Sequence, residues 1–299
     1  MKEYYPSVGL KRLCGLFGKT RQAFYDTAQR NESALFEEAL IIDLVKTYRA
    51  ILPRVGAVKL LYMLKDDFAA HKITIGRDSF FDLLRNNGLL IKRKRRYVRT
   101  TDSNHSYYKW PDLTKSFKLK APEQLWVSDI TYLKTDSGFI YLSLITNAWS
   151  HKIVGHHLSQ TLKTQGCIIA LNKAISTLSS SAKLVHHSDR GVQYCSDPYV
   201  SLLHQNNIGI SMTQTGSPYD NAVAERVNGI LKDDLELDKI FHSYSHALGA
   251  VHHAIDAYNR IRPHMTCGNL TPQLAHQTTE PLKKLWKNKT YRKAKSVLL

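Results

Sequence analysis

Cysteine is scarce. The four residues Cys14, Cys167, Cys195 and Cys267 are scattered through 299 positions with no CxxC pair. That excludes a disulfide framework and a Cys-rich zinc site, and predicts free thiols in a reducing cytoplasm. No uninterrupted apolar run is long enough to span a bilayer, and MKEYYPSVGLKRL at the N-terminus has no signal-peptide core, so no membrane partner is expected. A GxSxG elbow is missing, which removes the usual serine hydrolase arrangement, and so is a Gly-rich phosphate loop of Walker type. There is no internal repeat. Acid is also in short supply: 25 Asp and Glu stand against 42 Lys and Arg, for a formal charge of +17. Such an excess points to a polyanion, and without a basic helix bearing a clean apolar face the polyanion is nucleic acid rather than anionic membrane.

What is present divides the chain. With 43 % apolar residues there is enough to build a core and room for two domains. Residues 1–90 read as a small all-α region. Gly9 to Asp26 gives two short helices broken at Gly18 with Thr20 as N-cap, the outline of a helix-turn-helix with Arg21 and Gln22 at the start of the recognition helix. Further helices are predicted over Glu32–Arg49, Val58–Phe68 and Arg77–Leu84, the last ended by Gly88. An ordinary helical domain has the same outline, and the basic run that follows favours DNA. That run, Lys92-Arg93-Lys94-Arg95-Arg96, opens a linker over 91–122 whose Tyr107, Tyr108 and Trp110 suit base stacking beside phosphate contacts. From 123 to 282 the period changes. Strands are expected at Leu125–Thr135, Gly138–Ile145, Ile153–Leu158, Lys183–His187 and Ile208–Met212. Helices are expected over Leu162–Leu178 and Asp197–Gln205 and from about Ser217 and Ser243, which together make an α/β domain with a mixed sheet. Residues 283–299 read as a basic tail.

Three carboxylates stand out. Asp189, in HHSDRGVQY (186–194), follows an apolar run and precedes a tight Arg-Gly turn. A lone acid at the edge of a core is costly without a cation. Arg190 offers a local ion pair as the simplest reading. Asp129, in WVSDITYL (126–133), shares a strand face with Val127 and Thr131, where a water-facing edge strand is the competing explanation. Glu225 lies on a helix capped by Ser217 or Asp220. Steps of three and four align Asn221, Glu225, Asn228 and Lys232 opposite a packing stripe of Val223, Val227, Ile230 and Leu231. Gathered, these acids would repel one another unless divalent cations sat among them, and hard ions choose carboxylate oxygen. Two such ions can clamp the attacking and leaving oxygens of a phosphodiester. Magnesium would then be the partner of Asp189, with manganese as its substitute, and Arg190 would be left for phosphate. His186 and His187 are expected to flank the site rather than to bind zinc.

With 59 and then 35 residues between them and Lys232 seven beyond the last, Asp129, Asp189 and Glu225 resemble the DDE triad of transposases and retroviral integrases. The words WVSDITYL, HSDRGVQY, GSPYDNAVAE (216–225) and YNRIRPH…LTP (258–272) are similar to the downstream-frame product of bacterial insertion sequences of the IS-three family. LCGLFGKTRQAFY (13–25) and RVGAVKLLYML (54–64) share the likeness less distinctively. The resemblance implies an RNase H-like catalytic domain. It also implies Mg²⁺-dependent cleavage at the ends of a mobile element, then attack of the freed 3′-hydroxyl on another phosphodiester. Asp129 and Asp189 would hold the metals and Glu225 complete the shell. Lys232, Asn228, Asn221 and Arg226 would face DNA, and Arg262 and His264 would support the site or touch DNA. The implied partners are element terminal repeats and target DNA, further copies of the chain in a synaptic complex, and an upstream-frame protein or frameshift fusion. Met265-Thr266-Cys267-Gly268 departs from the usual text after RPH, which bears on local packing rather than chemistry. A DNA-binding regulator or decayed copy, and a nuclease that cuts without joining, are the rival readings. Intact acids and Lys232 favour the active transposase.

Overall fold

In the computed structural model, which describes residues 6–92, 107–114, 118–178, 183–214, 221–278, 280–283 and 285, the chain divides into two units. The first is Met1–Ile51 with Val55–Lys92, the second Leu52–Arg54 with Arg93–Leu299.

The first unit is helical. Helix α1 (Leu10–Leu16) and helix α2 (Arg21–Ile51) flank Gly18, and the Thr20 hydroxyl accepts the Ala23 N–H at 3.0 Å, the expected N-cap. One expectation fails. Helix α2 runs unbroken for 31 residues where two separate helices were read. The polar stretch between them holds no Gly or Pro, and its Gln29, Arg30 and Glu32 are good helix formers, so nothing stops the helix. Helices α3 (Ala57–Met63), α4 (Lys65–Ala70) and α5 (Arg77–Asn86) follow, and bury Leu60, Leu64, Phe68, Phe80 and Leu84.

The second unit is built on a six-stranded mixed sheet. Strands β1 (Leu125–Thr135), β2 (Gly138–Asn147) and β3 (Ile153–Ser159) form an antiparallel meander. Helix α6 (Thr164–Ser176) then crosses to β4 (Val185–Ser188), parallel to β1. The one-turn α7 (Val192–Cys195) and α8 (Asp197–Gln205) lead to β5 (Gly209–Met212), parallel to β4, giving the order β3-β2-β1-β4-β5. Helix α9 (Ala222–Asp233) packs on β1 and β2, and a two-residue β6 (Ile240–Phe241) extends β1. Helices α10 (Tyr244–Arg260) and α11 (Pro272–Gln277) complete the unit. A three-strand meander, a crossover helix and two further parallel strands, with helices on both faces, are the RNase H-like architecture expected from the sequence. Strand limits agree closely because β-branched and aromatic runs bounded by turns left little choice. The β6 pairing went unread, since two residues carry no alternation.

Gly155 on β3 sets how closely α6 approaches: a Cβ there would run into the Ala170 carbonyl and the Ala174 side chain. Both sheet edges are covered. Asn259 of α10 bonds both the N–H and the carbonyl of Ile153 on β3, at 3.0 Å each. Along β5, the Leu113 N–H reaches Ser211 Oγ at 2.9 Å and the Met212 N–H reaches the Pro111 carbonyl at 3.3 Å. The described part of the supposed linker is therefore a packed strap that hides an edge strand. Trp110 lies against His204 and the core, withdrawn from the stacking role expected of it, while Tyr108 stays exposed.

Candidate active site

Strands β1 and β4 set the site. They pair in parallel with Trp126 opposite His186 and Val127 opposite His187. Asp129 and Asp189 each lie two residues past that last pair, so the register brings the two carboxylates abreast where β4 ends. Asp129 is 6 % exposed on an interior strand, which removes the edge-strand reading. Asp189 opens a turn in which its Oδ1 accepts the Gly191 N–H at 3.1 Å. A Cβ at 191 would stand 3.0 Å from that oxygen, so any larger residue would push the carboxylate aside by a few tenths of an ångström. Arg190, half-buried, sits inside the same turn.

Helix α9 brings the third acid. Asn221 donates its Nδ2 hydrogen to the Ser128 carbonyl at 2.9 Å, and Asn228 donates to Asp129 Oδ2 at 2.6 Å. Glu225 lies four residues after the first and three before the second, so the stripe that carries it is the stripe that meets β1. Glu225 itself is exposed. Among the described residues no group of three or more His, Cys, Asp or Glu side chains is gathered closely enough to hold a metal ion, so the three carboxylates are not drawn into one cluster. The donor chemistry nonetheless fits a hard cation. Beside Asp129, Asn228 Oδ1 and Asn221 Oδ1 are buried with no hydrogen-bond partner among the described residues, and oxygen atoms of this kind suit an ion with its water shell.

Four residues expected to support the site or contact DNA are placed inside the protein. Asn221 and Asn228 are 8 % and 4 % exposed and are spent on fastening α9 to β1. Arg262, 1 % exposed, bonds Asp234 Oδ2 through Nε at 3.1 Å and Nη2 at 2.5 Å. Its Nη1 lies 3.2 Å from His264 Nε2, and the His264 ring is set against His151 and Tyr258. Both are buried and paired within the protein. They tie the end of α9 to the loop after α10. Arg226 is exposed and Lys232 half-buried on α9. Arg21, Gln22 and Lys92 are exposed in the first unit, while 93–96, like the proposed cap at 217–220, lie outside the described residues.

Sequence reasoning missed the support behind β1 and β4. On the face opposite Asp129, Ser128 Oγ lies 2.6 Å and the Tyr199 hydroxyl 2.9 Å from His186 Nε2. Complete burial pushes the His186 pKa down to about 3, so the ring is neutral and acts as a hydrogen-bonding strut. His187 Nδ1 meets Ser211 Oγ at 2.8 Å, linking β4 to β5. Strand alternation could have put Ser128 on the face away from Asp129, but nothing in the sequence paired it with His186.

Comparison with known proteins gives the family. Two family models, each described as an integrase core domain, match residues 120–218 and 206–272. The chain is 31 % identical over 264 residues to an uncharacterized 31 kDa protein of insertion element IS600 from Shigella sonnei, which covers 87 % of this chain and 96 % of that one. It is 28 % identical over 279 residues to transposase InsF for insertion sequence IS3A from Escherichia coli K12, covering 91 % and 96 %. Among solved structures, the HTLV-2 integrase catalytic core domain in complex with magnesium has a TM-score of 0.43 at 20 % identity, over 52 % of this chain and 97 % of that one. A simian T-cell lymphotropic virus intasome has a TM-score of 0.46 at 17 % identity, over 81 % and 78 %. No helix among the described residues is long and apolar enough to cross a membrane. With an integrase core in its second unit and similarity to insertion-element proteins along nearly its whole length, the chain belongs to the IS3-type transposases.

Proposed function

We propose that this transposase is catalytically competent, with Asp129, Asp189 and Glu225 as its metal-holding triad. Water first cleaves a phosphodiester at the element end and leaves a 3′-hydroxyl. That hydroxyl then attacks a target phosphodiester, joining element to target. The observation that carries the reading is the placement of Asp129 and Asp189 abreast on neighbouring strands, with the Glu225 helix fastened to Asp129 through Asn228. Magnesium, with manganese as its substitute, would supply Lewis-acid polarisation of the scissile phosphate and a more acidic nucleophile. Asn228 holds one oxygen of Asp129, which fixes the direction of the other. The Gly191 N–H does the same for Asp189. Glu225, carried on the stripe of α9 that meets β1, would complete the shell. Arg190, Arg226 and Lys232 surround these acids with positive charge for the DNA ends.

The first unit, with Arg21 and Gln22 at the start of α2, and the basic run 92–96 would hold element DNA at the terminal repeats. Several copies, with or without an upstream-frame partner or fusion, would bring two ends together at the nucleoid. The test incubates a plasmid carrying the flanking DNA of this reading frame with the full chain and Mg²⁺, beside Glu225→Gln and Asp189→Asn. Strand breaks at the repeats and new junctions are expected with the natural chain and absent from both variants. Turnover of Asp189→Asn within tenfold of the natural chain would remove that residue from the shell. Breaks without junctions would leave a nuclease.

A further inference from the structure

On the same face of the sheet as Asp129, two strands away, the pairing runs Asp129 opposite Leu144 and Leu144 opposite His156. By strand spacing His156 is therefore roughly 10 Å across the sheet from Asp129. There a cavity of about 620 Å³ opens between β3, α6 and α10. Its charged and titratable lining is Lys152, His156, Lys173, His252, Arg260 and a single acid, Asp256. That acid is already engaged, with Asp256 Oδ1 at 2.9 Å from Arg260 Nε. The His156 and His252 rings meet edge to face at 5.7 Å. Lys152 and Lys173 have no carboxylate within ion-pair distance among the described residues.

Like charges collected around a hollow cost energy unless an anion shares it. The cost is visible on His156, whose pKa is pushed down to about 4, first by burial and then by Lys173 and His252. Lys152 is also lowered, by burial first, with Arg260 adding to it and Glu123 opposing. The lysines are not incidental to the fold. Gly155 lets α6, which carries Lys173, lie directly on β3, and Asn259 holds β3 to α10 beside Arg260, so the three elements that line the cavity are fixed to one another. Tetrahedral, multiply charged oxyanions suit such a ring of separate ammonium, imidazole and guanidinium donors better than a single carboxylate does.

We propose that this cavity is a phosphate-binding site, separate from the carboxylate site, that takes a backbone phosphate of DNA. A free polyphosphate is the other source of the same chemistry. The site does not depend on the triad, and its test reads binding rather than cleavage. The full chain is titrated calorimetrically with inorganic pyrophosphate. Its affinity for a 30-base-pair duplex lacking terminal repeats is measured across a salt series. Lys152→Gln with Lys173→Gln should weaken pyrophosphate at least about tenfold and make the salt slope shallower by roughly one to two units. Lys152→Arg with Lys173→Arg should keep both near the natural values. Loss of pyrophosphate binding with an unchanged slope would assign the site to free phosphate. No pyrophosphate binding by the natural chain would overturn the proposal, as would a glutamine variant that alters only the oligomeric state, which would mark an interface between copies. Should the glutamine variant not fold, the His156 imidazole of the natural chain decides by NMR. Phosphate in the cavity raises its pKa from about 4, and an unmoved value overturns the site.

Discussion

Asp129 can be a buried carboxylate because its surroundings are arranged for it. It lies on an interior strand with 6 % of its surface exposed, and Asn228 supplies a 2.6 Å hydrogen bond from a second element. An amide serves here where lysine would not: it donates to one carboxylate oxygen without neutralising the charge that a divalent ion needs. Asn228→Ala removes that donor and leaves the carboxylate free to turn. Loss of one buried hydrogen bond to a charged group costs about 1–3 kcal/mol, and for a unit of this size each kcal/mol lowers the melting temperature by roughly 2–4 °C. The expected functional effect is larger. Residues that orient a metal ligand typically change affinity or activity by about 10–100-fold. Cleavage by Asn228→Ala should therefore need a higher magnesium concentration for half-maximal rate, whereas Glu225→Gln, at an exposed position, should melt like the natural chain. A variant that loses stability but keeps its magnesium dependence would reduce Asn228 to a packing residue.

Elements decide where those residues meet. Helix α9 was legible as a helix with one polar stripe, and that stripe does hold Glu225. The sequence could not distinguish side chains on the stripe that reach outward from those that reach β1. Asn221 and Asn228 turned inward because short amides fit between a helix and the strand it covers, while the longer Glu225 stayed exposed. The RPH segment left open whether Arg262 supports the site or meets DNA; it is buried against Asp234, a pairing 28 positions apart that no periodicity announces. The joint between β1 and β4 was equally silent. There Ser128, Tyr199 and a neutral His186 close the back of the site. That joint carries a pH signature. The unfolded chain protonates His186 near its ordinary 6.5, the folded chain only near about 3. Folding then binds fewer protons between those limits, so this contribution is whole above pH 6.5 and declines as pH falls toward 3. Burial lowers His151 and His156 to about 4 as well, and adds to the decline in the same direction. Denaturant titrations from pH 7.5 to 4.5 should show falling stability, and His186→Gln, which keeps polar atoms facing Ser128 and Tyr199, should flatten the curve. An unchanged slope would place the acid sensitivity elsewhere.

At the scale of the whole chain the dominant quantity is charge. A formal +17 is unfavourable for a compact molecule by itself and makes sense against a polyanion. Arg262 is buried and paired with Asp234, so exposed cations are the ones placed to meet such a partner. Among the described residues Arg226 on α9 and Arg21 and Lys92 in the helical unit are such cations, and in sequence Lys92 opens the basic run 92–96. A contiguous run of five bases can displace counterions from several phosphates at once, and each phosphate neutralised steepens the dependence of log K on log salt by about 0.9. Replacing Lys92, Arg93, Lys94, Arg95 and Arg96 with glutamine should therefore weaken binding to any duplex, specific or not, and make the slope shallower by roughly two to four units. Preference for terminal repeats over random DNA should change little, because phosphate contacts position a protein without reading sequence. Arg21→Ala makes the opposite test at the start of α2: a base-reading residue should reduce that preference by about 1–3 kcal/mol while moving the salt slope by no more than about one unit. If neutralising the run left the slope where it was and erased the preference, the run would be reading bases and the division of labour between unit and tether would be reversed.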